Sequence, residues 1–399
     1  MVALSAIEQY VHRRTLSRIP SRIHVSGTRG KSSVTRLVAA GLRAGTLSCL
    51  AKTTGTLARI ILPDGSERPV YRPGGANIIE QLGIVKLAAK CDAQALVLEC
   101  MAVKPSLHWV SEHKMVRATH GVITNIRADH LDVMGPTAAD VAKAIAGMIP
   151  INGCLFTAES RYLNTLQAAA ADRNTKLIHI GPDDIAAITS TDMSGFSYVE
   201  HRDNLALSLA ICQHLGVDRS TALSGMWRAI PDPGALIDIP VSFFGRKITF
   251  VNAFAANDPV STTMAWQAAL ARHPIVDKKI VIFNLRGDRS LRTKHLAQQC
   301  EFINELDHVV LTGSGADTFV RNATKAGRRI DHVKNFEDLS IDAFFERCIG
   351  LCGQRSLIVG VGNIGDMGLD ITQHFNNRRQ PMAKAADNST VMNKDADQK

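Results

Sequence analysis

The stretch GTRGKSS, residues 27–33, combines residue types that bind phosphate. Gly27 and Gly30 allow backbone conformations that turn several N–H groups towards one anion. Lys31 can reach the outer phosphates of a nucleotide, and the hydroxyl group of Ser32 can ligate Mg²⁺. The common phosphate-loop pattern has a glycine six residues before the lysine, but Val25 stands there and the first glycine comes four residues before it. The predicted nucleotide-binding residues are Gly27, Thr28, Arg29, Gly30, Lys31, Ser32 and Ser33.

Two acidic segments further along the chain could bind the metal ion that a nucleotide requires. Glu99 ends the apolar run ALVLE, where a carboxylate can ligate Mg²⁺ beside the β- and γ-phosphates, although it could instead pair with Lys104. A later segment, ADHLD, contains Asp129, His130 and Asp132. Histidine is unusual near the metal of a kinase or GTPase, so His130 indicates a second divalent ion bound partly through nitrogen. A structural role for His130 is the alternative.

The elements that must position these residues alternate along the whole chain. Short apolar runs are separated by segments of helical periodicity, a pattern typical of an α/β protein with a mostly parallel sheet. In such sheets ligands bind beyond the carboxyl ends of the strands, where the polar residues above are found. The predicted strands are 22–26, 95–99, 121–125, 176–180, 279–285, 308–312 and 356–361.

Three helices have clear signals. Residues 33–45 place apolar side chains on one face, and 205–215 repeat that pattern and end before Gly216, a glycine suited to a left-handed helix end. Asn77 followed by Glu80 predicts a helix start with a capping box.

The segment RAIPDPGALIDIP, residues 228–240, is the predicted boundary between two domains, because prolines and a glycine interrupt the periodicity. We therefore expect one domain over 1–230 and a second, smaller α/β domain over 231–380. Residues 381–399 lack apolar periodicity and are predicted to be a disordered tail.

Composition limits the classes of function. No apolar run approaches the roughly 20 residues that span a bilayer, so we expect a soluble, cytoplasmic chain. The net charge is +9, and residues 9–63 contain ten Lys or Arg residues and no acidic residue, which predicts an anionic partner. Tyr10 is the only aromatic residue in this basic tract, so single-stranded nucleic acid is disfavoured.

These motifs resemble, in kind and order, those of the ATP-dependent Mur ligases and folylpolyglutamate synthetases. The resemblance is closer to the ligase subunits of poly-γ-glutamate synthases, of the CapB type. It is carried by seven segments: GTRGKSSVTRL (27–37), KTTGT (52–56), ECMAVKP (99–105), DHLDVMGPT (129–137), DPGA (232–235), NAFAANDPVST (252–262) and GVGNIG (360–365). It implies a phosphate-loop ATPase domain of the Mur ligase type followed by a smaller Rossmann-like domain.

The resemblance also implies roles for individual residues. Lys31 would bind the β- and γ-phosphates of ATP, Ser32 and Glu99 would hold the first Mg²⁺ with Thr53 or Thr54 nearby, and His130 would hold a second. Asn204 would lie near adenine and ribose. In the second domain, the residues expected to meet phosphate and substrate are Arg286, Asp288, Arg289 and Arg292. Arg29 and Arg36 of the basic tract become candidate contacts for a polyanionic chain.

One residue departs from the family pattern. Members usually carry a lysine, carbamylated in use, fourteen or fifteen residues after the metal-binding histidine, but Ala144 and Ile145 stand there and Lys143 is one residue short. The implied reaction joins the γ-carboxylate of one glutamate to the amino group of another through an acyl phosphate. The implied partners are a poly-γ-glutamate chain and membrane-protein subunits at the inner face of the membrane, in a complex that could be oligomeric.

Two alternatives remain open from the sequence. A folylpolyglutamate-type ligase would perform the same chemistry on a pterin-bearing acceptor. A regulatory phosphate-loop ATPase would instead respond to nucleic acid or to a membrane surface.

Overall fold

The computed structural model describes residues 2–55, 57–72 and 74–380, with side chains from residue 7 onward. It divides between Pro233 and Gly234 into two compact units. Each unit has its own sheet and its own apolar core. The predicted tail, residues 381–399, lies outside the described residues.

The described part of the first unit contains eight strands. They are β1 (Ser21–Ser26), β2 (Cys49–Lys52), β3 (Arg59–Ile61), β4 (Glu67–Pro69), β5 (Ala95–Glu99), β6 (His120–Ile123), β7 (Cys154–Thr157) and β8 (Lys176–His179). Their order in the sheet is β4-β3-β2-β5-β1-β6-β7-β8. In this order, every neighbouring pair in the stretch β2-β5-β1-β6-β7-β8 is parallel. At the other edge of the sheet, β3 pairs antiparallel with both β2 and β4.

Helices connect these strands. They are α1 (Val2–Leu16), α2 (Lys31–Ala44), α3 (Glu80–Lys90), α4 (Pro105–Val110), α5 (Leu131–Met134), α6 (Ala138–Ala146), α7 (Leu163–Asp172), α8 (Pro182–Ala186), α9 (Ser190–Ser194), α10 (Arg202–His214) and α11 (Arg219–Trp227). A π-helical segment, Ser111–Val116, extends α4. Both faces of the sheet are covered, so β5 is buried along its whole length, as expected for a parallel sheet between two layers of helices.

The second unit has a six-stranded sheet of the same kind. Its strands are β9 (Ile237–Phe243), β10 (Arg246–Asn252), β11 (Lys278–Leu285), β12 (His308–Gly313), β13 (Val333–Asn335) and β14 (Arg355–Val361). Their order is β13-β12-β11-β14-β10-β9, and only the hairpin of β9 with β10 is antiparallel. The helices are α12 (Pro259–Arg272), α13 (Ser290–Gln299), α14 (Ala316–Lys325), α15 (Ile341–Gly350) and α16 (Met367–Asn376).

All seven predicted strands are present, with ends within two residues of their expected positions. Most of the strands that the sequence analysis did not predict are short or lie at sheet edges. The exception is β10, which has seven residues and lies between β14 and β9. One helix start differs from the prediction. Helix α3 begins at Glu80 with Ile79 as its cap, and Asn77 caps the preceding turn by accepting the N–H of Ile79. The Glu80 carboxylate accepts the Asn77 N–H at 3.3 Å, which is one half of the predicted capping box.

The predicted linker, residues 228–240, is not all linker. Its last four residues belong to β9, which is an edge strand and therefore tolerates Pro240 without loss of a central ladder bond. No helix in the described ranges is long and apolar enough to cross a bilayer.

Candidate functional site

The predicted phosphate loop connects β1 to α2 at the carboxyl edge of the first sheet. Gly27 and Gly30 have φ angles of +128° and +81°, in the left-handed region that glycine adopts without strain. A Cβ atom at Gly27 would lie 2.1 Å from Oγ1 of Thr124, and one at Gly30 would lie 2.5 Å from Oδ1 of Asn204. Both conformation and space therefore require glycine at these two positions.

The loop is held by the two residues that follow β6. The Thr28 hydroxyl and the Arg29 N–H both donate to Oδ1 of Asn125, at 2.8 and 3.1 Å. Asn125 Nδ2 and the Thr124 hydroxyl in turn donate to the Arg29 carbonyl, at 3.1 and 2.6 Å. The motif TN at the end of β6 thus fixes the shape of the loop, a role that the sequence analysis did not assign to it.

Lys31, the first residue of α2, directs its ammonium group back over the loop. Its Nζ donates to the carbonyl oxygens of Gly27 and Thr28, at 2.8 and 3.2 Å. The ammonium group therefore lies beside the backbone N–H groups at the start of α2, where a phosphate would bind.

Glu99 lies at the end of β5, where it meets the loop from the neighbouring strand. The Ser32 hydroxyl donates to Glu99 Oε2 at 2.8 Å, and the Thr54 N–H donates to the same oxygen at 2.7 Å. The described ion pairs do not include one between Glu99 and Lys104, the alternative considered from the sequence. Hydroxyl and carboxylate oxygens are the ligands that Mg²⁺ prefers, and here the two are in contact. Ser32 and Glu99 therefore fit that ion.

A buried ion-pair network positions the segment that contains Thr54. Lys52 is fully buried, and its Nζ lies 2.8 Å from Glu80 Oε2. Burial lowers the pKa of Lys52, against the opposing effect of its bond to Glu80. Arg72 binds Glu80 through two nitrogens and also donates to the Thr54 carbonyl at 3.0 Å. The sequence analysis missed this network, although a lysine ending an apolar strand was a usable signal.

The segment ADHLD follows the TN motif and approaches the loop from β6. Arg29 Nη1 lies 3.2 Å from Asp129 Oδ2. His130 has φ +47° and is the cap residue that immediately precedes the short helix α5. Among the residues that the structure describes, no three His, Cys, Asp or Glu side chains converge as a metal site. A second metal ion at His130 therefore remains a prediction.

Lys143, the residue nearest to the family's carbamylated lysine, lies on α6. Its side chain is 74% exposed and contacts Asp140 at 3.7 Å, one turn away on the same helix. This is an ordinary surface pair.

Asn204 packs directly against the phosphate loop from the first turn of α10. Its Nδ2 donates to Glu200 Oε1 at 2.8 Å, so its amide oxygen faces Gly30. Glu200 is buried, and burial raises its pKa, while Tyr198 donates to its second oxygen. The structure places Asn204 beside the loop, and its predicted contact with adenine and ribose remains a prediction.

The basic residues predicted for the second unit cluster at the carboxyl end of β11. Arg286 binds Asp288 through two nitrogens, at 2.9 and 2.8 Å, and lowers the pKa of that carboxyl group. Arg289 lies 3.8 Å from Asp288, and Arg292 lines the same small cavity as Arg286 and Arg289. The structure thus brings together all four predicted residues of this unit.

Two family models match the chain. Residues 25–223 match the Mur ligase middle domain, and residues 239–378 match the poly-gamma-glutamate synthase CapB C-terminal domain. The capsule biosynthesis protein CapB of Bacillus anthracis is 38% identical over 90% of this chain and 76% of that protein. The PGA synthase CapB of Bacillus subtilis is 36% identical over 91% of this chain and 92% of that protein.

Solved structures of low sequence identity share the fold. E. coli FolC in complex with DHPP and ADP superimposes with a TM-score of 0.69 at 15% identity, covering 93% of this chain and 92% of that one. Mycobacterium tuberculosis folylpolyglutamate synthase, complexed with ADP and AMPPCP, gives 0.65 at 18% identity, covering 92% and 93%. The predicted fold class is confirmed. The chain therefore belongs to the Mur ligase superfamily and, within it, to the CapB family of poly-γ-glutamate synthases.

Proposed function

We propose that this chain is an ATP-dependent amide ligase that joins the γ-carboxylate of one glutamate to the amino group of another. The observation that carries the proposal is the contact between Ser32 and Glu99 beside the phosphate loop, at the carboxyl edge of a parallel sheet. The names of the curated relatives, CapB and PGA synthase, supply the substrate.

The chemistry follows from the poor reactivity of a carboxylate. Transfer of the γ-phosphoryl group of ATP to the carboxylate releases ADP and leaves an acyl phosphate. The second glutamate's amine then attacks the carbonyl carbon, inorganic phosphate departs, and the amine loses a proton to give the amide. The protein's part is positioning and charge stabilisation, because phosphoryl transfer needs little covalent help from side chains.

Each residue of the phosphate site has a part in this reaction. Lys31 exchanges its bonds to the loop carbonyls for the β- and γ-phosphate oxygens. Ser32, Glu99 and the Thr54 segment would hold Mg²⁺, which neutralises phosphate charge when it is bound. His130 is proposed to hold a second ion. Asn204, whose amide oxygen faces Gly30, would border the nucleotide.

The remaining predictions concern the second unit and the partners. Arg286 and Arg289 would stabilise the transferred phosphoryl group or orient the substrate carboxylate. We expect the chain to work in the cytoplasm, at the inner face of the membrane, through membrane-protein partner subunits, and to bind no nucleic acid.

The experiment compares Lys31→Ala with Lys143→Ala, since Lys143 is an exposed lysine of the same unit. Purified proteins receive Mg-ATP and D- or L-glutamate, with and without membranes, and ADP and γ-linked product are measured. Lys31→Ala should abolish glutamate-dependent ADP release, and Lys143→Ala should change it little. Normal turnover in Lys31→Ala would overturn the assignment.

The same assay separates the two alternatives. Stimulation by DNA, RNA or lipid vesicles in place of glutamate would indicate a regulatory ATPase. Stimulation that requires a pterin-bearing acceptor would indicate a folylpolyglutamate-type ligase.

A further inference from the structure

A cavity of about 480 Å³ lies beside α2, away from the phosphate loop. It is lined by α2 from Arg36 onward, the hairpin of β3 with β4, and the end of α11, and we name it the arginine pocket. Its charged lining residues are Arg36, Arg43, Asp64, Glu67 and Arg228. The rest of its wall is formed by small and apolar residues of the same elements.

Two of the three arginines that line the pocket have a buried donor without a partner. Arg36 is only 3% exposed; it binds Glu67 through two nitrogens and the Ile230 carbonyl at 3.2 Å, but its Nε has no partner. Arg43 has a buried Nη1 without a partner. Buried donors of this kind are unfavourable unless an acceptor completes them. The pocket is therefore suited to a ligand that brings oxygen atoms.

The balance of charge indicates which oxygen ligand fits. Three guanidinium groups face two carboxylates, so the pocket has a formal charge of +1. A carboxylate matches that excess and the forked geometry of arginine, whereas a dianionic phosphate would be repelled by Asp64 and Glu67. The Glu67 carboxylate, which binds Arg36 through two nitrogens, shows that a guanidinium group of this pocket can pair with a carboxylate in the forked arrangement. The apolar wall suits the methylene groups of such a ligand.

The position of the pocket connects it to the proposed active site. Ser32, Arg36 and Arg43 are spaced by four and seven residues, so they share one face of α2. At 1.5 Å per residue, Arg36 lies about 6 Å and Arg43 roughly 16 Å along the helix axis from Ser32. The pocket therefore lies within roughly 16 Å of Ser32 along the helix axis, a distance that a short γ-glutamyl chain can span.

We infer that the arginine pocket binds a carboxylate of the γ-glutamyl chain while the end of that chain is extended at the phosphate site. This inference rests on the proposed function. It assigns to the ligase a product-binding subsite that would keep the polymer attached between successive additions.

The test uses Arg43→Gln combined with Arg228→Gln, because Arg36 is too deeply buried to change safely. Arg18→Gln is the matched control, since Arg18 belongs to the same basic tract but forms an exposed pair with Asp92. Fluorescence anisotropy measures the binding of a labelled γ-glutamyl oligomer, and thermal unfolding verifies that each variant folds. The double variant should bind the oligomer at least about tenfold more weakly than the control and should release shorter products.

Three competitors identify the ligand. Unlabelled γ-glutamyl oligomer should displace the probe, while inorganic phosphate and vesicles of anionic lipid at equal charge should not. Equal displacement by phosphate or vesicles, or wild-type affinity in the folded double variant, would overturn the inference.

Failure of the inference and failure of the proposed function give different results. Wild-type protein that forms γ-linked product but shows no pocket-dependent oligomer binding contradicts only the inference. Pocket-dependent binding in a protein that releases no ADP with glutamate contradicts the proposed function and supports the ligand class assigned to the pocket.

Discussion

Glu99 and Cys100 are consecutive residues at the end of β5, yet they belong to two different polar clusters. Glu99 meets Ser32 and the Thr54 segment beside the phosphate loop. Cys100 packs in the core cluster on the other side, with its Sγ 3.7 Å from His108 Nδ1. Because successive residues of a strand face opposite sides, one strand end supplies two chemically distinct environments.

In the cluster around Cys100, the charged side chains pair with one another inside the protein. His24 Nδ1 lies 2.8 Å from Glu112 Oε2, and Glu112 also accepts the Ala118 N–H at 2.7 Å. The side chains of His24, Cys100, His108 and Glu112 are all buried. Burial alone would lower the pKa of His24, but bonds to Cys100 and Glu112 outweigh it and raise that pKa to about 9.

The two clusters differ in where positive charge comes from. The hydrogen bonds described for Glu99 come from a hydroxyl and a backbone N–H, which are neutral, so its carboxylate can still ligate a metal ion. Glu112 already has His24 as a cationic partner inside the protein. At a site that binds a metal ion, the carboxylate has no cationic partner in the protein and the ligand supplies the positive charge. At a structural site, a side chain of the fold supplies that charge.

The largest effect should come from Glu99→Gln, which tests whether the carboxylate beside the phosphate loop binds a metal ion. The amide keeps one acceptor for Ser32 but loses the charge that would attract Mg²⁺. We expect glutamate-dependent ADP release to fall at least about 100-fold, with little change in the urea midpoint. Enzyme assays across a Mg²⁺ titration check this. An unchanged titration curve would show that Glu99 is not a metal ligand.

The next largest effect tests the buried ion pair between Glu112 and His24. Glu112→Gln leaves His24 buried without its anionic partner and should destabilise the fold by about 3–5 kcal/mol. Asp92→Asn is the control, because it removes an exposed partner of Arg18 and should cost less than about 1 kcal/mol. Urea unfolding measures both. If the two variants lose similar stability, the buried pair is not the structural element that the comparison requires.

The smallest effect is a dependence of the Glu112→Gln penalty on pH. The folded-state pKa of His24, about 9, is above its ordinary value of 6.5. The stability that it contributes is therefore fully present below 6.5 and is lost as pH rises through about 9. Urea unfolding of wild type and variant across this range should give a difference that narrows with rising pH. A constant difference would contradict protonation of His24 in the folded state.

Local patterns in the sequence were enough to predict the strands that position the candidate site and the phosphate loop itself. Glu99 was predicted because it ends an apolar strand, and the structure brings it to Ser32 because β5 and β1 are neighbours. The cluster of His24, Glu112 and Cys100 was not predicted, since its ion pair joins residues 88 positions apart. No local period signals such a pair.

The basic tract shows the same limit. The sequence predicted a broad field for a polyanion, but the fold supplies acids from later segments: Asp92 pairs with Arg18, Asp129 with Arg29, Glu67 with Arg36 and Glu80 with Lys52. Arg36 is therefore an internally paired residue rather than an exposed contact. The predicted field is therefore partly neutralised. The arginine pocket, which depends on the packing of α2, α11 and the hairpin of β3 with β4, is one place where positive charge remains in excess.

The bonds from Asn125 to the phosphate loop have a kinetic consequence. Thr28 and Arg29 are tied to Asn125 through both backbone and side-chain groups. We expect a loop tied in this way to keep its shape when a nucleotide docks. The rate of nucleotide association should then be governed by diffusion and by the field of Lys31 and Arg29, and should fall as ionic strength rises.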